Sequence, residues 1–188
     1  LVGAVEEPSD EQIRQQFETN LFGCLNVVRA VLPTMREQRS GHIINVSSSL
    51  GFFAVPSYGY YSATKFALQG ISEALVQELA PFGIRVTIAQ PGGTRTDFVS
   101  RGIVEPANRL PDVYPSTAVV LDYLAGTDGT QENDPGKIAT ILVDTVELDE
   151  APLHLPLGHD ALTGIERQLA KIGSEIDAGR AVSTATAF

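Results

Sequence analysis

Three short apolar runs, GHIINVSSS (41–49), IRVTIAQPGG (84–93) and PLHLPLG (152–158), are separated by longer stretches with helical periodicity. This alternation constrains the fold more than any other feature of the chain. Strands joined by helical crossovers pair in parallel, and a parallel sheet must be covered by helices on both faces. The expectation is an α/β fold with a Rossmann-like, doubly wound parallel sheet. A chain of 188 residues suffices for one such domain, taken here as 1–188.

The first intervening stretch, 9–38, reads as one long helix. Ser9 and Gln12 resemble a capping box, Phe17, Leu21, Leu25 and Val28 recur at helical spacing, and Pro33 is expected to bend the last turns. A second helix, about 58–81, follows Pro56. Phe66 or Ala67, Ile71, Leu75 and Leu79 supply its apolar face, and Gly83 can take a left-handed cap. Residues 92–115 have poor periodicity and read as a loop. A short helix lies around TAVVLDYLAG, and another opens with Asp134 as cap and Pro135 in the first helical position. The last helix is DALTGIERQLAKIGSEIDAG, and the tail RAVSTATAF is expected to be loose.

In open parallel sheets ligands bind at the carboxyl ends of the strands. That rule points to SSSLG (47–51) and PGGTRTDF (91–98), with Tyr61 starting the helix that lies between them in sequence. Tyr61 and Lys65 are four residues apart, so they share one helix face. A free tyrosine has a pKa near 10, whereas an acid/base should titrate near 7, a gap of about 4 kcal/mol. An ammonium about 5 Å away supplies roughly 3 kcal/mol at an effective dielectric of 20. The pair therefore suits proton transfer.

Charge and cysteine usage exclude other classes. With 13 basic and 23 acidic residues the formal charge is −10, and no Lys/Arg cluster marks a nucleic-acid or anionic-membrane partner. The lone Cys24 leaves no intrachain disulfide and suits a reducing cytoplasm, the expected location. No apolar run approaches the roughly 18 residues needed to span a bilayer, and LVGAVEEPSD lacks the layout of a signal peptide. His42, His154 and His159 lack metal-ligand spacing, so no metal is expected. One rival chemistry remains. SATK (62–65) matches Ser-x-x-Lys, with Ser62 as nucleophile and Lys65 as base, but the companion motifs Ser-Asp-Asn and Lys-Thr-Gly are absent from the chain.

The order and spacing of TNLFG, NVSSSLG, YSATK, QPGGTRTDF and PLHLPLGHDAL resemble the short-chain dehydrogenase/reductase family over nearly the whole chain. The resemblance implies an oxidoreductase that passes a hydride between NAD(P)(H) and an alcohol or ketone. Tyr61 would be the acid/base with Lys65 beside it, Ser48 would hold the substrate oxygen, and Asn20 would hold a water linking Lys65 to solvent. The cofactor would touch Asn20, Tyr61 and Lys65, together with the turn residues Pro91, Gly92, Thr94 and Thr96. Ser48, Phe53, Tyr58 and Phe98 would line a lipophilic substrate pocket. A lyase, epimerase or cofactor-sensing relative using the same tyrosine and lysine is the alternative.

The family's phosphate-cradling glycine loop and the residue selecting NAD from NADP have no counterpart in the sequence. The chain therefore resembles the C-terminal two thirds of such a domain, lacking its first strands, and NAD is not separable from NADP. By itself the 188-residue piece is expected to be inactive, to bind no dinucleotide, and to aggregate or behave as a molten species. The family also implies a homo-oligomer, dimer or tetramer, formed through helices 9–38 and 58–81. Phe66, Leu68 and Leu32 are candidates for the second apolar face.

Overall fold

A computed structural model describes residues 1–186. Three strands, β1 (Gly41–Val46), β2 (Ile84–Pro91) and β3 (His154–Leu157), form a parallel sheet in the order β1-β2-β3. Ile43 stands opposite Val86, and Ala89 opposite Leu155. The helices are α1 (Asp10–Phe17), α2 (Gly23–Gln38), α3 (Gly59–Leu79), α4 (Phe98–Gly102), α5 (Pro115–Thr127), α6 (Pro135–Val146) and α7 (His159–Thr184).

Alternation along the strands sorts side chains to two faces. On one face Ile43, Ile84 and Val86 meet Val28 of α2 and Leu75 and Leu79 of α3, with Leu32, Met35 and Ile71 packed around them. On the other face Arg85 reaches the carbonyl oxygens of Val146, at the end of α6, and of Leu148. Helices thus approach from both sides, as a doubly wound sheet requires.

Local signals in the sequence explain the element ends. The Ser9 hydroxyl accepts from the Gln12 N–H at 3.2 Å, and the Gln12 side chain accepts from the Ser9 N–H at 3.1 Å, closing the capping box. The Asp134 carboxylate accepts from the Gly136 and Lys137 amides. Gly83 has φ 68°, the left-handed cap expected of it.

Four expectations need correction. The stretch 9–38 is interrupted by a π-helical turn, Glu18–Phe22, between α1 and α2; a π turn carries one extra residue, which sequence periodicity does not announce. The segment 92–115 is not wholly irregular, because it contains α4. The last helix runs on to Thr184, absorbing much of the tail expected to be loose, whose last two residues lie outside the described ones. Leu68, assigned to an outward face, is fully buried, and Leu32 packs on the core; of the three, Phe66 is the exposed one.

Candidate active site

The site begins where β1 ends. Ser48 has extended backbone, and its hydroxyl accepts from the Leu50 N–H at 3.1 Å, capping a single 3-10 turn at Ser49–Gly51. That local bond fixes the hydroxyl beside the Tyr61 phenol, whose pKa it lowers. Tyr61 lies in the first turn of α3, flanked edge-on by the rings of Tyr58 and Phe98, each with its centroid 6.0 Å away.

One turn further along α3, the Lys65 ammonium sits 5.8 Å from the centre of the Tyr61 ring and donates to the Val46 carbonyl at 2.9 Å. Ser47 N–H bonds to Ala89 of β2, so the carbonyl of its neighbour Val46 faces the free edge of the sheet, and the lysine reaches it there. Tyr61, Lys65 and Ser48 are therefore brought together.

The electrostatics differ from the sequence estimate. Burial raises the Tyr61 phenol above its ordinary value, opposed by the Ser48 hydrogen bond. Burial also lowers the Lys65 ammonium, with Cys24 acting the other way. Tyr58 is pushed up to about 12 by burial, and then by Tyr61 and Tyr123. In this chain, desolvation outweighs the attraction that was expected to bring Tyr61 toward neutrality.

Asn20 stands in the π turn and donates to the Thr64 hydroxyl at 3.2 Å, which in turn donates to the Tyr61 carbonyl at 2.7 Å. It thus ties the π turn to the first turn of α3, and its side-chain amide is engaged with Thr64 rather than with Lys65.

At the end of β2, Pro91 stands opposite Leu157, and the Gly92 amide donates to the Leu157 carbonyl at 2.9 Å. The Thr94 hydroxyl donates to the Gly92 carbonyl at 3.1 Å, and the Thr96 hydroxyl accepts from the Phe98 N–H at 3.3 Å. Both side chains therefore hold the turn. The main chain of Thr94 pairs with Asn133 as a parallel bridge, in which the flanking Gly93 carbonyl and Arg95 N–H bond Asn133. The Thr94 N–H and C=O then point the opposite way, and the N–H has no acceptor among the described residues.

Two more of the residues singled out in the sequence have clear surroundings. Phe53 lies against α7, where a Cβ on Gly164 would come within 2.7 Å of its ring, so it packs a helix. Ser62 is 2 % exposed and its hydroxyl has no partner, while Lys65 is engaged elsewhere. A buried hydroxyl without a base is no nucleophile.

Sequence reading missed the polar seam beneath the site. Gln69 of α3 donates to the Ser47 hydroxyl at 3.2 Å and the Ser48 carbonyl at 3.4 Å, and accepts from Gln90 of β2 at 3.1 Å. Asn45 donates to Ser72 at 2.8 Å. These amides pin the face of α3 to the strand ends. Buried amides in an otherwise apolar sheet were the available signal, since each needs a partner. Among the described residues no group of three His, Cys, Asp or Glu is placed to hold a metal ion, and no helix is long and apolar enough to cross a membrane.

Residues 2–103 match the profile of the short chain dehydrogenase family. An uncharacterized oxidoreductase of Schizosaccharomyces pombe is 34 % identical over 189 aligned positions, covering 100 % of this chain and 64 % of the relative. A 3-ketodihydrosphingosine reductase of Bacteroides thetaiotaomicron is 48 % identical over 111 positions, 58 % of this chain and 41 % of its own length. The crystal structure of a short-chain dehydrogenase from Streptomyces avermitilis superposes with a TM-score of 0.87 at 35 % identity, covering 100 % of this chain and 68 % of the other. The chain thus spans about two thirds or less of the length of these relatives.

Proposed function

The chain belongs to the short-chain dehydrogenase family, and from that premise we propose that its site serves hydride exchange between NAD(P)(H) and a lipophilic ketone or alcohol. The observation that carries the reading is the half-buried Tyr61 phenol, with the Ser48 hydroxyl beside it and the Lys65 ammonium over its ring.

The unclaimed Thr94 N–H and its neighbouring C=O form a donor and acceptor pair, the complement of a primary carboxamide. Lys65 and Tyr61 would address ribose hydroxyls, and Pro91 and Gly92 would bring the turn close. When bound, the nicotinamide supplies or accepts the hydride and, in its oxidised form, a positive charge beside the phenol.

The remaining work falls to this chain. Tyr61 gives a proton to the carbonyl oxygen in reduction and removes it from the hydroxyl in oxidation. Ser48 holds that oxygen and stabilises its developing charge. Lys65 keeps positive charge beside the phenol; bringing a phenol from above 10 to near 7 requires more than about 4 kcal/mol, beyond what one ammonium provides. Tyr58 and Phe98 flank the Tyr61 ring edge-on, and an aromatic surround of that kind favours an apolar substituent. The likeness to a 3-ketodihydrosphingosine reductase supports the same class.

Replacing Tyr61 by Phe in the complete protein tests the proposal. Nicotinamide absorbance is followed against a panel of apolar ketones and alcohols, and dinucleotide binding by calorimetry. Turnover should fall below a tenth while binding persists; turnover above a tenth removes Tyr61 from the chemistry. If the parent itself changes no absorbance with any carbonyl, the redox reading is wrong.

A further inference from the structure

Asp160, in the first turn of α7, lies 67 residues from the turn it grips. One carboxylate oxygen accepts from the Gly93 N–H at 2.7 Å, and the other accepts from the Asn133 side-chain amide at 2.9 Å. The same Asn133 amide donates to the Gly93 carbonyl at 2.9 Å, and the Asn133 main chain accepts from the Arg95 N–H at 3.0 Å. Arg95 adds a guanidinium bond to the Gln131 carbonyl at 3.0 Å. Gly92 and Gly158 make room for this packing. A Cβ on Gly92 would collide with both oxygens of Asp160, and one on Gly158, at φ 109°, would collide with the Asn133 amide.

All of these bonds reach the turn from one side. They use the Gly93 N–H, the Gly93 C=O and the Arg95 N–H, and none uses Thr94. The clamp therefore leaves one residue's donor and acceptor free, and fixes their direction by holding both neighbours. A charged acceptor on a main-chain N–H makes a strong bond, strengthened here by the position of Asp160 at a helix N-terminus.

We propose that Asp160 and Asn133 are positioning residues that hold Thr94 so that its main-chain N–H and C=O meet the carboxamide of a bound nicotinamide. Neither residue touches the reacting atoms. The last helix, remote in sequence from Tyr61, thereby sets the angle at which the nicotinamide ring is presented. This rests on the dinucleotide reading of the site, and the test separates the two.

Asp160→Ala, Asp160→Asn and Asn133→Ala are made in the complete protein, and binding of reduced dinucleotide is compared with binding of ADP-ribose, which lacks the nicotinamide. Hydrogen exchange at the Gly93 amide provides a readout free of any ligand. Asp160 is exposed, so the melting temperature should fall only by a few degrees. In Asp160→Ala, dinucleotide affinity should fall about tenfold, the loss typical of one charge-assisted bond, with ADP-ribose affinity within about twofold. The Gly93 amide should lose protection. Asp160→Asn should lie between, because its carbonyl can still accept from Gly93 while its amino group meets that of Asn133. Equal weakening of both ligands, or no weakening with Gly93 protection kept, overturns the positioning role and leaves the dehydrogenase reading standing. A parent that binds neither ligand overturns both.

Discussion

Glu7 offers the sharpest test of how the segment 104–117 is held. It is 0 % exposed, held between the first residues and the segment 104–117. Its carboxylate accepts from the Ala4 N–H at 2.6 Å, the Leu110 N–H at 2.8 Å and the Thr117 hydroxyl at 3.1 Å. Its main-chain carbonyl also accepts from the Asn108 N–H at 3.0 Å. Burial pushes the carboxyl upward, but the Leu110, Ala4 and Thr117 bonds and nearby Arg109 together hold it below its ordinary value. In Glu7→Gln one oxygen becomes an amino group. If the carbonyl keeps Ala4 and Thr117, a donor faces the Leu110 N–H. The loss is one bond to a charged group, worth about 1.5–3 kcal/mol. Glu7→Ala should cost about twice as much.

Urea unfolding of the expressed protein measures the loss, and hydrogen exchange at Asn108 and Leu110 locates it. The pH dependence has a fixed sign. A carboxyl with a depressed folded pKa adds stability that is present above its unfolded pKa near 4.5 and disappears as pH falls through the folded value. Parent and Glu7→Gln should therefore converge in acid. A cost below about 0.5 kcal/mol at neutral pH, or unchanged exchange in 104–117, would refute the anchoring role.

Gln69→Leu strips a partner from Gln90 and from both serines and should cost about 2–4 kcal/mol, read as a lowered melting temperature. Turnover should fall with it, because Ser48 loses its support. Lys65→Met should lose dinucleotide binding and turnover together, in contrast to Tyr61→Phe, as calorimetry beside an activity assay would show. In an alkaline spectrophotometric titration the step near pH 12 should vanish in Tyr58→Phe, since burial makes Tyr58 ionise late. Phe66, 44 % exposed on α3, is expected to lie in an interface between copies of the chain, so Phe66→Asp should lower the mass seen by light scattering. A parent already monomeric at micromolar concentration would contradict that.

Much of the architecture was legible because it rests on local signals: β-branched runs for β1 and β2, the Ser9 and Asp134 caps, the left-handed Gly83. Tyr61, Lys65 and Ser48 were legible because their spacing survives folding unchanged, four residues on a helix and a serine at a strand end. What stayed hidden depends on partners distant in the chain. Glu7 looks like any acidic residue before a helix until the segment 104–117 covers it. Asp160 looks like a dipole-stabilising first-turn residue until Gly93 arrives beside it. Leu68 was misjudged because the buried face of α3 also carries Ser62, Thr64, Gln69 and Ser72, so polar residues disguised the face that points inward. The rise in the Tyr61 pKa was missed because the Coulomb estimate assumed the ammonium and omitted the desolvation.

The π turn at Glu18–Phe22 makes the helix ahead of it tolerant of residue count. Each residue turns an α-helix by roughly 100°, and the wider π turn takes up one extra residue without turning the segments on either side of it. Deleting one residue from that turn would let the helix run regularly, leaving α2 seated on the sheet and α1 facing as it does now. Gln12 sits on α1 and grips the Glu105 carbonyl and the Ala107 N–H, the former 93 residues downstream. That grip would survive the edit, and the cost would fall on the contact the π turn itself makes, from Asn20 to Thr64. The extra residue is thus a local adjustment of where Asn20 stands, invisible to the packing of the helix ahead.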